Sequence, residues 1–210
     1  MDRRTFLCAA GGLIAGCKHA DSPKYQDVTF LCPRNPFALT DPEAPPVIVR
    51  WAKTDLSYCI VNRDRGEMRA AVWDKEVEAA FASWQECSSL TFARIGDPEV
   101  ADILMAAGEG PEHWFDGPHG ILAWAYMPDN DHFEGRLVSM ADKGEHWIVS
   151  PEKAKKAGVC LRAVIAHEIG HLLGLGHSQF PGSLMFPYYR PDVREPQVFD
   201  DIFRIRSLYR

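Results

Sequence analysis

Two histidines and a glutamate near the C-terminal end of the 210-residue sequence have a spacing that could support metal chemistry. His167 and His171 are four residues apart, so on a helix both side chains lie on one face and can bind a single ion. Glu168 is rotated by about 100° around the helix axis. It can therefore reach a water molecule on that ion without binding the ion itself. The spacing predicts a metal site with Glu168 as the general base.

A third ligand is predicted to follow this helix. Gly174 is expected to end the helix, because glycine adopts a left-handed conformation at little cost. The chain would then turn back and bring His177 to the ion. Three imidazoles and a water molecule form an open tetrahedral zinc site, where the ion acidifies the water and polarises a carbonyl group. The alternative is a core helix with solvated histidines, which does not explain three histidines at these spacings.

The elements that must position these residues follow from hydrophobic periodicity. Apolar residues recur at spacings of three and four in residues 68–87 and 162–175, which predicts two amphipathic or buried helices. Strands and helices alternate early in the chain and helices dominate later, which indicates an α/β sheet domain. Strands are predicted within residues 47–61, 90–93, 101–105 and 121–126, and a last helix within residues 198–209.

The overall composition limits the possible partners. The length fits one domain with a full core, and 46% of the residues are hydrophobic and 25% charged, as in ordinary globular proteins. A formal net charge of -6 gives no electrostatic support for nucleic-acid binding. We therefore expect no nucleic-acid partner.

The first 17 residues predict an export signal that ends in a lipid attachment site. Arg3 and Arg4 precede a short apolar stretch, and their context, Arg-Arg-Thr-Phe-Leu, resembles a twin-arginine signal. Residues 13–17 resemble a bacterial lipobox, in which Cys17 is acylated and becomes the mature N-terminus. The alternative is a buried N-terminal helix with an incidental cysteine. The predicted location is the periplasmic or cell-surface face of a bacterial membrane.

A Pro-rich segment, residues 18–46, reads as a tether, and the compact domain is expected to span residues 47–210. Four cysteines remain after Cys8 and Cys17 are set aside. An even number in an oxidising compartment predicts two disulfides, with the pairing left open. These cysteines are Cys32, Cys59, Cys87 and Cys160.

The zinc-site segment and the residues after it resemble the catalytic domain of the matrixins, which are metzincin metallopeptidases. Ser178 follows the third histidine as in that family, and Ser183–Tyr189 resembles the family's Met-turn and specificity-pocket wall. The likeness covers about residues 47–210. Further matching segments are Arg50-Trp51, Leu56–Tyr58, Ala79–Trp84, Leu90–Phe92, Ala101–Ile103, Phe115–Pro118 and Asp200–Ile202.

The resemblance implies a fold and an activity. The fold is a twisted five-stranded sheet, mostly parallel with one antiparallel edge strand, together with three helices. The activity is zinc-dependent hydrolysis of internal peptide bonds, and the expected state is a monomer. Two other functions stay open: an inactive peptide- or surface-binding module on the same fold, and a metal-dependent amide hydrolase that acts on cell-wall peptide. An intact Glu168 argues against the inactive module.

The resemblance also assigns roles to residues around the zinc. The edge strand, with Leu122 and Ala123, would pair with extended substrate. Met185 would lie beneath the zinc ligands, and Pro187 and Tyr189 would line the S1′ pocket. Ala163 stands at a position that sets the depth of this pocket, and its small side chain favours a large apolar P1′ residue.

The family has two further metal sites, and the sequence predicts that only one of them is kept. A structural zinc is expected to be absent, because Trp124 and Met140 stand where two of its histidine ligands belong, although other histidines (His113, His119, His132 and His146) lie nearby. A calcium site is expected to be kept, and the alternative is a solvated acidic loop. Its ligands would be the carboxylates of Asp116, Asp142 and Glu145 and the carbonyls of Gly117, His119 and Ile121. Latency could come from Cys32 as a thiolate on zinc, although a disulfide is the favoured fate of this cysteine.

Overall fold

The computed structural model of the chain describes residues 50–63, 68–108, 115, 120–128, 137–149 and 158–210. Several predictions fall outside these ranges and stay predictions. They are the export signal with Cys17, the tether, the fate of Cys32, the nearby histidines His113 and His132, and the calcium ligands Asp116, Gly117 and His119. In the described part of the chain, no helix has the length and apolar character needed to cross a membrane.

A five-stranded sheet forms the frame of the domain. Its strands lie in the order β2-β1-β3-β5-β4, and all neighbours are parallel except β4 and β5. This confirms the predicted mostly parallel sheet with one antiparallel edge strand. The strands are β1 (Asp55–Arg63), β2 (Thr91–Arg94), β3 (Ile103–Gly108), β4 (Ala123–Ala125) and β5 (Leu137–Asp142).

The described part of the chain contains three helices, as predicted: α1 (Ala70–Cys87), α2 (Leu161–Leu172) and α3 (Asp201–Leu208). The predicted apolar stripe of α1 is buried against α2, which is itself almost completely enclosed. This stripe consists of Trp73, Val77, Ala80, Phe81 and Trp84. Because α2 carries two of the predicted zinc ligands, the core of the domain is built around the site.

Side-chain donors fix the position of α2 at both its middle and its end. The indole N–H of Trp84 donates to the carbonyl of Ala166, and that of Trp51 donates to the carbonyl of Leu172, both at 2.8 Å. The Leu172 carbonyl belongs to the last turn of the helix, where carbonyls have no partner within the helix. These two bonds join α1, and the segment just before β1, to helix α2, which carries His167 and His171.

Some elements were not predicted. Strand β5 and the separate two-stranded parallel sheet of β6 (Trp147–Ile148) and β7 (Val159–Cys160) were not identified from the pattern. Predicted boundaries also differ by a few residues. Helix α2 begins at Leu161 rather than Arg162 and ends at Leu172 rather than Leu175, because the chain changes conformation before Gly174.

The prediction of two disulfides is wrong. Cys59, Cys87 and Cys160 are free thiols, and all three are buried. They lie in separate elements, β1, the end of α1 and β7, where each fills core space as a small apolar side chain. Burial raises the pKa of the Cys87 thiol to about 11, so this thiol is unreactive at neutral pH.

Candidate metal centre and active site

Three imidazoles converge at one point beside α2. The Nε2 atoms of His167 and His171 are 3.1 Å apart, and those of His171 and His177 are 3.3 Å apart. One ligand atom from each of the three lies within 4.8 Å of the other two. In the described part of the chain this is the only such group of three or more metal-binding side chains. The structure therefore brings together the three ligands that the sequence predicts.

The other ring nitrogens show why this cluster suits a cation. The Nδ1 of His167 bonds to the Leu184 carbonyl and that of His171 to the Leu175 carbonyl, each at 2.7 Å. A carbonyl only accepts, so each Nδ1 carries the proton and each Nε2 of the neutral ring presents a lone pair. Lone pairs of neutral rings facing one another at about 3 Å repel unless a cation lies between them. The donors present therefore fit zinc, which is bound by imidazole nitrogens in such sites.

Burial keeps two of these imidazoles neutral. Desolvation, followed by the neighbouring His171 and His177, lowers the pKa of His167 well below its usual value. Desolvation and His177 lower the pKa of His171 to about 3. Metal binding requires the unprotonated ring, so both histidines are ready to bind at neutral pH.

A glycine turn delivers the third ligand, as predicted. Gly174 has φ of 95°, a left-handed conformation that other residues adopt at a cost. The N–H of Gly174 donates to the His171 carbonyl and that of Leu175 to the Gly170 carbonyl, which satisfies the end of the helix. The chain thus reverses at once, and His177 returns to the two histidines of α2.

Glu168 is completely buried next to His167 on α2. Neither carboxylate oxygen has a hydrogen-bond partner among the described residues. Desolvation raises the pKa of this carboxyl well above its usual value. A buried carboxyl without a partner is costly for the fold, and such groups occur where chemistry requires them.

The Met-turn packs directly against helix α2. Met185 is fully buried, and a Cβ atom on Gly170 would overlap its Sδ and lie 3.0 Å from the Trp84 ring. Gly170 stands between the two ligands of α2. The predicted place of Met185 beneath the ligands is therefore supported by direct packing against the helix that carries them.

A buried acid that the sequence analysis gave no role holds this turn in place. Asp201 accepts hydrogen bonds from the backbone of Leu184, at 2.7 Å, and of Met185, at 3.2 Å. It also accepts from the Ser183 hydroxyl and the Gln197 N–H. The segment Asp200–Ile202 matched the family pattern, but no local signal indicated which backbone groups this carboxylate binds.

A small cavity borders two of the residues that the resemblance assigns to the S1′ pocket. Its volume is about 10 Å³, room for about one water molecule. These two residues are Ala163 and Tyr189, whereas Pro187 is not among the described lining residues, and the S1′ roles of all three stay predictions. The Tyr189 hydroxyl accepts a hydrogen bond from the Cys160 N–H at 2.9 Å, which fixes this wall. The remaining lining residues are Ser183, Leu184, Tyr188, Arg190 and Val193.

The predicted substrate-binding strand is at the edge of the sheet. In the part of the chain that the structure describes, β4 pairs with β5 alone. Ala123 begins this strand, and Leu122 precedes it with its carbonyl bonded to the Asp142 N–H at 2.9 Å. Both side chains are fully buried, so any contact that these two residues make with an extended substrate would be through the backbone.

The positions of the other predicted metal sites are partly described. Trp124 and Met140, which replace two histidines of the structural zinc site, are cross-strand partners in β4 and β5. Neither side chain offers an imidazole nitrogen. Asp142 ends β5, and Glu145 follows it in the same turn; both are buried. These are the two predicted calcium carboxylates that the structure describes, while Ile121 lies just before β4.

The sheet, the three helices and the histidine cluster over a methionine turn define the catalytic domain of a metzincin. The chain belongs to the matrixin family, whose model matches residues 50–210. It is 38% identical over 175 residues to stromelysin-1 of Equus caballus, covering 78% of this chain and 34% of that protein. It is 34% identical over 165 residues to karilysin of the bacterium Tannerella forsythia, covering 76% of this chain and 33% of that protein.

A further relative is stromelysin-2 of Rattus norvegicus, which is 40% identical over 166 residues, or 76% of this chain and 33% of that protein. The chain thus spans about a third of the length of the curated relatives it matches.

Proposed function

We propose that this protein is a zinc-dependent endopeptidase. The observation that carries the proposal is the convergence of three imidazole nitrogens, within 4.8 Å of one another, beside the buried carboxyl of Glu168. His167, His171 and His177 would hold the ion. Membership of the matrixin family supports the same reaction class. Protein or peptide chains would be the substrates.

The ion, Glu168 and strand β4 would each have a separate role in the reaction. Zinc, when bound, supplies a Lewis acid that acidifies water and polarises the scissile carbonyl. Glu168 would accept the proton of the attacking water and deliver it to the leaving nitrogen, which is general acid–base catalysis. The raised pKa of this carboxyl favours its carrying that proton. The edge strand β4 would align the substrate backbone across the site.

We expect cleavage on the N-terminal side of a large apolar residue. The small side chain of Ala163 and the apolar Leu184 and Val193 in the cavity lining support this preference. The cavity itself holds only about one water molecule. A large side chain therefore enters only if lining side chains move, and Tyr188 and Arg190 are both partly exposed.

Calcium binding is a separate part of the proposal. Asp142 and Glu145 bring two buried carboxylates into one turn, and oxygen atoms are the ligands that calcium prefers. Asp116, the carbonyls of Gly117 and His119, and the carbonyl of Ile121 would complete the shell.

Replacement of Glu168 tests the proposed reaction. Zinc-loaded parent chain, Glu168→Ala and the control Glu86→Ala, which removes an exposed acid of α1, are incubated with a mixed peptide library with and without chelator. Glu168→Ala should keep zinc and lose activity by about 10²-fold or more, the scale of a general base. Glu86→Ala should behave as the parent. Chelator should stop cleavage by both active proteins.

Other results would redirect the proposal. If Glu168→Ala holds zinc and cleaves as fast as the parent, Glu168 is not the base. If the zinc-loaded parent cleaves no peptide, the inactive binding module is the better description. Release of fragments from cell-wall peptide, with no cleavage in the library, would favour the other amide hydrolase.

A further inference from the structure

A group of large apolar side chains is exposed near the metal centre and helix α3. The exposed fractions are 57% for Phe180, 78% for Val198, 59% for Phe199 and 70% for Phe203. We name these four residues the C-terminal apolar patch. The rings of Phe180 and Phe199 meet edge to face, with centroids 6.0 Å apart. Apolar side chains clustered on a surface in this way mark a site of interaction.

The solvent side of α3 adds positive charge beside this patch. Phe203 and Arg206 are exposed and three residues apart on α3, so they lie on one side of the helix. Arg210, which is also exposed, lies two residues after the helix ends. The two acids at the start of the helix, Asp200 and Asp201, are buried. The chain as a whole is acidic, with a net charge of -6, yet the exposed charge of this helix is Arg206, whose guanidinium also donates to the Cys87 carbonyl at 2.8 Å.

The chain enters the domain at the same place. The N–H of Trp51 donates to the Tyr209 hydroxyl at 3.1 Å, and Tyr209 directly follows α3. The 49 residues before the described part, with the predicted acylation site Cys17, therefore join the domain beside this helix. A lipid on Cys17 would tether this end of the domain to a bilayer.

We propose that the C-terminal apolar patch, together with the exposed Arg206 and Arg210, binds the surface of a membrane that contains anionic lipid. The phenylalanine rings would enter the boundary between headgroups and acyl chains, and the arginines would meet lipid phosphates. This combination of apolar and cationic side chains matches a lipid surface better than it matches an apolar protein groove. Phe180 follows the ligand His177 by three residues, so binding would keep the metal centre near polypeptides at the membrane.

Vesicle sedimentation tests the proposal without the anchor. The full chain with Cys17→Ser, which cannot be acylated there, is mixed with vesicles of phosphatidylcholine alone or with phosphatidylglycerol. It should bind the anionic vesicles, and high salt should weaken binding. Adding Phe199→Ser and Phe203→Ser should weaken partition by about tenfold or more, the scale of removing a buried apolar side chain. The control Val100→Ser, at a residue 68% exposed but outside the patch, should not.

A charge variant and an exchange measurement complete the test. Arg210→Gln should weaken binding to anionic vesicles only, whereas Lys75→Gln, on the exposed side of α1, should change nothing. Hydrogen exchange of the parent should slow in residues 198–208 when anionic vesicles are added, a result that needs no variant.

Three results would overturn the proposal. The first is a parent that binds neither kind of vesicle and shows unchanged exchange in residues 198–208. The second is a double phenylalanine variant that binds as well as the parent. The third is a parent that is dimeric without lipid and becomes monomeric in that variant, which would make the patch a contact between copies of this chain.

Discussion

The carboxylate of Asp201 binds the backbone N–H of Leu184 at 2.7 Å in the core of the domain. The carbonyl of the same Leu184 accepts a hydrogen bond from Nδ1 of His167, also at 2.7 Å. One buried acid thus positions the residue that orients a metal-binding imidazole. A hydrogen-bond partner of this kind fixes the tautomer and the ring orientation of a metal-binding histidine.

We expect Asp201→Asn to weaken both the fold and zinc binding. An amide would turn a donor toward backbone groups that are themselves donors, and leaving such buried groups unsatisfied costs about 1–3 kcal/mol each. Zinc affinity should fall by about 10- to 100-fold, as for other residues that orient ligands. Urea unfolding gives the first quantity, and competition with a zinc chelator gives the second.

The neighbouring acid provides the control. Asp200→Asn makes the same change of charge one residue away, but the side chain of Asp200 pairs with Arg204 at 3.4 Å and, among the described residues, makes no hydrogen bond to the Met-turn. Its effect on zinc affinity should be much smaller. Equal losses in the two variants, or parent-like zinc affinity in Asp201→Asn, would show that Asp201 does not position His167.

We also expect Gly170→Ala to destabilise the protein. The added methyl group would overlap Sδ of Met185 and crowd Trp84, both of which are fully buried. Crowding of a packed core costs about 1–3 kcal/mol, and the better helix propensity of alanine returns up to about 1 kcal/mol. Gly96→Ala is the control, because no atom lies within 4 Å of its added carbon. A Gly170→Ala variant as stable as the parent would mean that Met185 can move aside.

Local spacing predicted the metal site well, because the site is local. The interval of four between His167 and His171, and the glycine after them, act within a few turns of chain, and the structure confirms their arrangement. The apolar stripe of α1 is local in the same way. The role of Asp201 was missed because its partners are 16 and 17 residues away and depend on how the Met-turn folds back.

Other features depend on contacts that spacing does not encode. Strand β5 is held by β3 on one side and β4 on the other, and its own residues show no clear alternation of apolar and polar side chains. The cysteines were counted as pairs because their number is even. Their distances in space are set by three separate elements, and Cys59, Cys87 and Cys160 are free.

The lipid anchor gives a prediction on the part of the chain before the domain. Expressed in a bacterial host, the protein should partition to membranes and incorporate labelled fatty acid, because Cys17 ends a lipobox-like sequence. Cys17→Ser should abolish labelling, whereas Cys8→Ser, in the same segment, should not affect it. Labelling that persists in Cys17→Ser would contradict the assignment of the acylation site.

Metal analysis should find one tightly bound zinc for each chain. His167, His171 and His177 supply one complete set of imidazole ligands, whereas Trp124 and Met140 are cross-strand partners in β4 and β5 at the positions expected for a structural zinc. An indole N–H only donates and a thioether is a weak acceptor, so this pair does not replace two histidines.

His171→Ala should lose the zinc, and His146→Ala, at an exposed position, should keep it. Removing zinc with a chelator should lower Tm, because the ion binds the folded state alone. Two tightly bound zinc ions in the parent would mean that the structural site has been rebuilt from other residues.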